Sequence, residues 1–253
     1  MLLQGRSAVV YGGGGHVGGA MARAFARHGA TVHLAGRTLA TVRAVAEEIT
    51  TAGGTAFADA VDALDEHAVD EHMDRVIERC GRLDVSVNVI SDQDVQGVAM
   101  AQMTAADYLR PIVTAVTSKF LTARAAARVM VPRRSGLILY FGGTFDWSVA
   151  RRFSVGGMGV TFDAVESMRK QLACELGPSG VRVVTLRTGG LPETIPAGFE
   201  GRDELVGWLT GQTLTGRTAT LAEVGELAAF VASDHAGMMT GAELDMSAGT
   251  SIR

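Results

Sequence analysis

A glycine cluster between a short apolar run and an amphipathic helix pattern is the feature that most constrains this chain. Residues 8–19 read Ala-Val-Val-Tyr-Gly-Gly-Gly-Gly-His-Val-Gly-Gly. Val17, Met21 and Phe25 follow at four-residue intervals, which predicts a helix with one buried face. The segment therefore predicts a strand, a tight turn and a helix, which is the repeating unit of layered α/β folds.

The same turn carries a signal for anion binding. Gly13, Gly15 and Gly18 fit a G-x-G-x-x-G spacing, although four glycines in a row make such a match easy to obtain. A glycine turn at the start of a helix presents free backbone N–H groups and the positive end of the helix dipole to a diphosphate. The alternative interpretation is a glycine-rich turn that binds nothing.

Strand-like and helix-like segments alternate over the whole chain, 1–253, with no linker or repeat between them, which predicts a single domain. The predicted strands are Ser7–Tyr11, Thr31–Ala35, Thr55–Ala58, Val85–Ile90, Leu137–Phe141, Val181–Leu186 and Glu243–Met246. The predicted helices lie near 17–28, 39–52, 66–80, 104–131, 156–176 and 220–233. Continuous apolar strands are typical of a sheet covered by helices on both faces, so we expect an α/β fold with a doubly wound parallel sheet of about seven strands.

Composition excludes several classes of function. The formal charge is −4 and the 23 cationic residues are scattered, which argues against a nucleic-acid partner. No apolar run is long enough for a membrane span, so we expect no membrane partner. Cys80 and Cys174 form neither a C-x-x-C motif nor a disulfide framework, and the first strand begins too early for a signal peptide. These observations predict a cytoplasmic protein.

Five motifs, in order and at similar spacing, resemble those of the short-chain dehydrogenase/reductase family. They are 11–18 (Y-G-G-G-G-H-V-G), 61–65 (V-D-A-L-D), 81–91 (G-R-L-D-V-S-V-N-V-I-S), 175–183 (E-L-G-P-S-G-V-R-V) and 215–241. The resemblance implies a Rossmann-like fold, a nicotinamide dinucleotide and a small-molecule substrate. It also implies a homo-oligomer, a tetramer or a dimer, assembled through the helices near 104–131 and 156–176.

The chain departs from the family pattern at the reacting groups. Family members use a Tyr-x-x-x-Lys pair, in which the lysine lowers the tyrosine pKa so that the phenol exchanges a proton with substrate. Four residues after Tyr11, Tyr108 and Tyr140, this chain has Gly15, Ile112 and Thr144. Family spacing assigns the tyrosine, lysine and relay-asparagine positions to Met158, Phe162 and Ala115. The standard proton-transfer groups are therefore missing from the sequence.

The motifs that bind the cofactor in the family are matched more closely in this chain than the catalytic residues are. Arg37 follows the second strand where NAD-preferring members carry an acid, which favours NADP(H) over NAD(H); the alternative is a solvated arginine. His16 replaces the family's middle glycine, so it either contacts the phosphates, shifts the turn so that Gly15 takes that role, or weakens binding. The predicted cofactor-binding residues are Gly12, Gly14, Gly15, His16, Val17, Arg37, Asp62, Ala63 and Asn88.

The loop after the fifth strand carries the remaining candidates for chemistry. Thr144 is placed to hold a substrate oxygen, and Asp146 to act as acid or base, although a carboxylate in a turn is the simpler interpretation of Asp146. Arg151 and Arg152 are either anion-binding or solvated. Ser91-Asp92-Gln93-Asp94 is a polar loop with too few ligands for a metal. We expect the segment 192–216 to cover the substrate; Leu191, Ile195, Phe199, Leu205 and Trp208 either line an apolar pocket or pack as an ordinary surface helix.

Three functions are compatible with these residues, in order of preference. The first is an atypical NADP(H)-dependent oxidoreductase whose proton comes from Thr144, Asp146, water or the substrate. The second is a non-redox cyclase, dehydratase or isomerase on the same scaffold. The third is a pseudoenzyme that binds a dinucleotide as a sensor or subunit.

Overall fold

A computed structural model describes residues 1–143 and 147–252. It contains a seven-stranded parallel sheet in the order β3-β2-β1-β4-β5-β6-β7. The strands are β1 (Ser7–Tyr11), β2 (Thr31–Gly36), β3 (Thr55–Ala60), β4 (Val85–Asn88), β5 (Gly136–Gly143), β6 (Val181–Thr188) and β7 (Ala242–Met246). The predicted fold class, a doubly wound α/β sheet, is confirmed.

Helices cover both faces of the sheet. They are α1 (His16–Arg27), α2 (Leu39–Thr51), α3 (Glu66–Cys80), α4 (Ala105–Met130), α5 (Trp147–Arg152), α6 (Met158–Leu176), α7 (Arg202–Gly211) and α8 (Leu221–Ala232). Buried residues of α1, α2 and α8 form one apolar core, and those of α3, α4 and α6 form a second core on the opposite face. In the described part of the chain, no helix combines the length and the apolar character that crossing a membrane requires.

The strand order changes direction at β1 and β4, and this creates a crevice at their carboxyl ends. β1 pairs with β2 on one side and with β4 on the other. All residues of β1 and β4 are buried, as expected for central strands covered on both faces. Loops that leave β1 and β4 therefore diverge, and a ligand can lie between them.

The helix ends follow the local sequence signals. Asp65 caps α3 by accepting hydrogen bonds from the backbone N–H groups of His67 and Ala68, and Gly81 ends the helix in the left-handed conformation. Helix α8 begins with a capping box, in which Thr220 and Glu223 each satisfy the other's backbone N–H. Helix α5 was not predicted, because it has only six residues. Helix α7, which has no buried residue, agrees with the surface helix that was one of the two interpretations of the segment 192–216.

Two buried histidines make stability depend on acid pH. His33 on β2 stacks on Phe57 with ring centroids 5.2 Å apart, and its Nε2 lies 3.2 Å from the Cys80 sulfur. Burial, reinforced by Arg79, lowers the pKa of His33 from 6.5 to about 4. Burial also lowers the pKa of His72 to about 4.

Because the unfolded chain binds these protons near pH 6.5 and the native state does not, stability is retained above pH 6.5 and falls as the pH drops toward 4. We expect His33 alone to cost about 2 kcal/mol of unfolding free energy between about pH 8 and pH 5. Urea denaturation at both pH values measures this. A His33→Phe variant should show a correspondingly smaller loss, and an identical pH dependence in the variant would contradict the assignment.

Candidate functional site

A cavity of about 360 Å³ lies at the carboxyl ends of β1, β2 and β4. Its walls come from the glycine turn after β1, the start of α2, the loop after β3 and the loop after β4. Of the predicted cofactor-binding residues, it brings together Gly12, Gly14, Gly15, Arg37, Asp62 and Ala63. This is the crevice where the strand order reverses, so its position and its lining suit a dinucleotide.

The glycine turn has no space for a side chain at Gly12 or Gly14. Gly12 has φ +85°, and a Cβ there would lie 2.9 Å from the Val89 carbonyl oxygen. A Cβ on Gly14 would lie 2.5 Å from the Thr41 hydroxyl. Gly15 is the residue before α1, so the first N–H groups of that helix point out of its N-terminus beside the cavity. The turn therefore has the close approach and the free donors that a diphosphate requires.

Arg37 and Asp62 lie on the side of the cavity formed by β2 and β3. Arg37 is exposed at the carboxyl end of β2, and among the described residues it has no ion-pair partner. Asp62 accepts a hydrogen bond from the Leu64 backbone N–H at 3.0 Å, which orders the loop that forms this wall. A guanidinium without a carboxylate partner at this position can meet a phosphate group.

Three predicted cofactor residues lie outside this cavity lining. His16 lines an adjacent cavity of about 370 Å³ together with Gly14 and Gly15, so its ring is beside the turn. Val17 packs on the core under α1. Asn88 is buried and orders the loop after β4. Its amide nitrogen donates to Thr122, and its oxygen accepts from the Ile90 backbone N–H at 3.1 Å.

The three positions predicted from family spacing to correspond to the proton-transfer residues are apolar. Met158 begins α6, and Phe162 lies one turn later. A Cβ on Gly143 would lie 2.9 Å from the Phe162 ring, which therefore packs against the end of β5. Ala115 on α4 is fully buried. The candidates Thr144 and Asp146 lie outside the described residues.

Two of the three tyrosines are unsuitable as acids. Tyr140 is buried on β5 and donates to the Lys119 carbonyl oxygen at 3.2 Å. Burial raises the pKa of Tyr140 far above its usual range. Burial, and secondarily the Asp70 carboxylate, does the same to the pKa of Tyr11, whose hydroxyl contacts His72 at 3.2 Å. Neither phenol can release its proton near neutral pH.

A second cavity, of about 400 Å³, lies between α4, α6 and strands β5 to β7, and we call it the charged cavity. Phe162 and Gly143 line it, so it adjoins the family's catalytic positions. Both lysines of the chain, Lys119 and Lys170, also line it, as does Arg187. This cluster was not predicted from the sequence. The features that could have indicated it are the presence of only two lysines in the chain and the charged residues within helix α6 and strand β6.

An ion pair forms one end of the charged cavity. The Lys119 side chain is only 2% exposed, and its Nζ lies 3.2 Å from an Asp92 carboxylate oxygen. Burial raises the pKa of Asp92, and the neighbouring Lys119 ammonium opposes that rise. Asp92, interpreted from the sequence as a loop acid, is therefore the partner of a buried lysine.

The segment 192–216 forms a short helical turn at Pro192–Thr194 and then α7. Trp208 packs edge-on against Phe153 with ring centroids 5.2 Å apart, and Arg152 lies over both rings. Arg152 also pairs with Glu204 at 3.0 Å. The cavity beneath Trp208 measures only about 50 Å³ and has Gly189 and Gly190 in its wall.

Of the other apolar candidates in and beside the covering segment, Leu191 is in the core and Phe199 is half exposed. Ile195 and Leu205 do not line the cavity under Trp208. Over residues 1–143 and 147–252, no group of His, Cys, Asp and Glu has the arrangement of a metal site.

Comparison with known proteins agrees with the fold and the crevice. The family described as enoyl-(acyl carrier protein) reductase matches residues 15–251. Secoisolariciresinol dehydrogenase of Forsythia intermedia is 30% identical over 99% of this chain and 90% of its own length. Enoyl-[acyl-carrier-protein] reductase [NADH] 2 of Rhizobium meliloti is 30% identical over 71% of this chain and 66% of its own.

A short chain dehydrogenase from Burkholderia cenocepacia, solved in complex with NADP, superposes with a TM-score of 0.81. It is 24% identical and covers 99% of both chains, which shows a shared fold. The sequence relatives and the family match extend over nearly the whole chain. The protein thus belongs to the short-chain dehydrogenase/reductase family of oxidoreductases.

Proposed function

We propose that this protein is an NADP(H)-dependent oxidoreductase that transfers hydride at a site without the Tyr–Lys pair. In this proposal the whole chain, 1–253, is one dinucleotide-binding domain, and 192–216 covers a small-molecule substrate. The observation that carries the proposal is Arg37, whose guanidinium lies in the crevice beside the glycine turn and has no ion-pair partner among the described residues. It stands where a ribose 2′-phosphate would lie.

The residues present fit a dinucleotide at each step along the crevice. Gly12 and Gly14 leave the backbone bare for a diphosphate, and α1 directs its N–H groups toward it. Asp62 and Ala63 border the opposite wall, where an adenine would lie. The bound nicotinamide would supply or accept the hydride, and the rest of the chemistry falls to the protein.

Apolar residues at the proposed catalytic positions, Met158 and Phe162, favour substrates that need little help with protonation. Hydride addition to an iminium gives a neutral amine, and addition to an activated alkene gives a delocalised enolate that takes its proton at carbon, so neither reaction requires a phenol to protonate an alkoxide. Thr144 and Asp146 remain the candidate proton donors of the chain, with water or substrate as the other sources. The Rhizobium meliloti relative is named for enoyl reduction, which supports an alkene as the substrate class. Its name also gives NADH, so the proposed preference for NADP(H) rests on Arg37.

The test is a titration of NADPH and NADH by calorimetry on the wild type and on Arg37→Ala. We expect the variant to lose about tenfold or more in NADPH affinity, because a charge-assisted phosphate contact disappears, while NADH affinity stays within about twofold. Arg43→Ala is the control: Arg43 is exposed on α2 and lies outside the cavity lining.

If wild-type protein binds neither dinucleotide, the redox proposal is wrong. The non-redox alternative, a cyclase, dehydratase or isomerase, is favoured by the apolar residues at the family's catalytic positions. Turnover that persists without nicotinamide and falls in Asp146→Ala or Thr144→Ala would support it. Tight NADPH binding without turnover on alkene, imine and carbonyl panels would instead indicate a dinucleotide-binding pseudoenzyme.

We also propose that the protein forms a homodimer or homotetramer through α4 and α6. Leu109, Val113 and Phe120 are 48–58% exposed on α4, and Val160 is 47% exposed on α6. Leu109 and Val113 are one helical turn apart, and Phe120 follows two turns later on the same face. A second copy would cover this apolar surface, and sedimentation velocity measures the resulting mass.

A further inference from the structure

Two arginines at the charged cavity are almost completely buried, and of these Arg187 lines it. Arg169 on α6 is 2% exposed and Arg187 on β6 is 3% exposed. Arg169 donates from Nε to Glu166 at 2.8 Å and from Nη2 to Glu243 at 3.4 Å. Arg187 donates from Nη1 to the other oxygen of Glu243 at 2.5 Å. The two guanidinium groups therefore share the Glu243 carboxylate, and Arg169 also binds Glu166.

These carboxyl groups do not use all the donors. Among the described residues, Nε and Nη2 of Arg187 and Nη1 of Arg169 are buried without a hydrogen-bond partner. Buried guanidinium donors are normally paired, because leaving them unpaired costs free energy. The orphan donors therefore indicate an acceptor that the chain itself does not supply.

The geometry of the orphan donors indicates what kind of acceptor fits. Nε and Nη2 form one edge of a guanidinium, and this edge matches the two oxygens of a carboxylate. The protein uses the same edge elsewhere: Arg82 donates from Nε and Nη2 to the two oxygens of Asp84 at 2.8 and 2.5 Å. The corresponding edge of Arg187 is the one without a partner.

The charge balance also favours a single negative group. The wall carries the carboxyl groups of Asp92, Asp163, Glu166 and Glu243, and burial raises the pKa of Glu166. These acids repel a phosphate dianion more strongly than they repel a carboxylate monoanion.

Part of the remaining wall is apolar and suits a carbon chain; the polar part consists of Asp163, Ser167, Lys170 and the Lys119–Asp92 pair. Phe141, Phe162 and Val165 line the charged cavity, and Gly142 and Gly143 leave the end of β5 without side chains. The volume of about 400 Å³ exceeds that of a short fatty acid. Phe162 and Gly143 place this wall beside the family's catalytic positions.

We propose that the charged cavity binds the carboxylate of an organic acid on the free edge of Arg187, with the acid's carbon chain against Phe141 and Phe162. Assignment of this acid as the substrate class rests on the proposed function, because the cavity adjoins the proposed site of hydride transfer.

Hexanoate, its neutral analogue hexanamide, and inorganic phosphate are the probes, titrated by calorimetry into the intact protein without dinucleotide. We expect hexanoate to bind once per chain and hexanamide to bind about tenfold more weakly or worse, since only the acid makes two charge-assisted hydrogen bonds. Phosphate should not compete. Equal binding of hexanoate and hexanamide, no binding of hexanoate, or displacement by phosphate would each overturn the proposal.

Arg187→Gln should reduce hexanoate affinity by about tenfold or more. Since that variant leaves Glu243 with one cation fewer in a buried site, Arg187→Gln/Glu243→Gln is made beside it; the paired amides keep a neutral contact and preserve folding, which a thermal melt checks. Lys170→Met is the control: this exposed lysine lines the same cavity, and hexanoate affinity should change by less than about threefold. Retained hexanoate binding in the folded double variant would exclude the site on Arg187.

The NADPH titration is run in parallel so that the two proposals fail separately. Hexanoate binding without NADPH binding would refute the redox function and leave the carboxylate site in place. NADPH binding without hexanoate binding would refute the carboxylate site alone.

Discussion

Replacing Gly12 by Ala is expected to lower the free energy of unfolding by about 3 kcal/mol and to weaken NADPH binding by at least about tenfold. Two costs add at this residue. Its φ of +85° disfavours any L side chain, and the new Cβ would press against the Val89 carbonyl at 2.9 Å. The turn would have to move away from β4, and the crevice would change shape with it.

Gly53 provides a matched control for Gly12→Ala. Its φ is +86°, and a Cβ there would meet no atom within 4 Å. Gly53→Ala therefore has only the backbone cost, about 1 kcal/mol, and should leave NADPH binding unchanged. Urea denaturation and calorimetry on both variants separate strain from collision. Equal destabilisation by the two substitutions would show that the contact between Gly12 and Val89 is unimportant.

Replacing Asp84 by Ala is expected to cost about 3 kcal/mol of unfolding free energy. Asp84 is 5% exposed and accepts the Ser7 backbone N–H at 2.9 Å, in addition to the paired bonds from Arg82. Arg6 also reaches it, at 3.5 Å. Removal of the carboxylate leaves a buried N–H at the start of the central strand without an acceptor.

Asp234 is the comparison for Asp84, because it also binds Arg6, with both oxygens at 2.7 Å. The Asp234 side chain is 90% exposed, so Asp234→Ala should cost no more than about 0.5 kcal/mol. Chemical denaturation of both variants gives the difference. If the two substitutions destabilised the protein equally, burial at the start of β1 would not be the source of the effect.

The fold was predictable from sequence because its signals are local. Each predicted strand lies within about two residues of an observed one, since apolar runs and the turns that bound them are read from neighbouring residues. The crevice was also predictable: the glycine turn, Arg37 and Asp62 follow three different strands, and parallel topology brings strand ends to one edge.

The charged cavity was not predictable in the same way. Glu166 and Arg169 belong to α6, Arg187 to β6 and Glu243 to β7, so their contacts depend on how these elements pack. A sequence pattern shows charge at these positions and does not show that the charges meet. Asn88 illustrates a related gap, because the motif that marks it does not show that it orders a loop through Thr122 and Ile90.

The contact between α1 and α8 bears on the order in which the molecule is completed. Gly225 lets α8 lie so near α1 that a Cβ would be 2.7 Å from the Ala20 carbonyl oxygen. Val224 and Ala228 bury the same core as Met21 and Phe25. During synthesis the glycine turn and α1 leave the ribosome before α8, the helix that covers the apolar face of α1. The end of the crevice proposed to bind phosphate is therefore made before the helix that completes its packing.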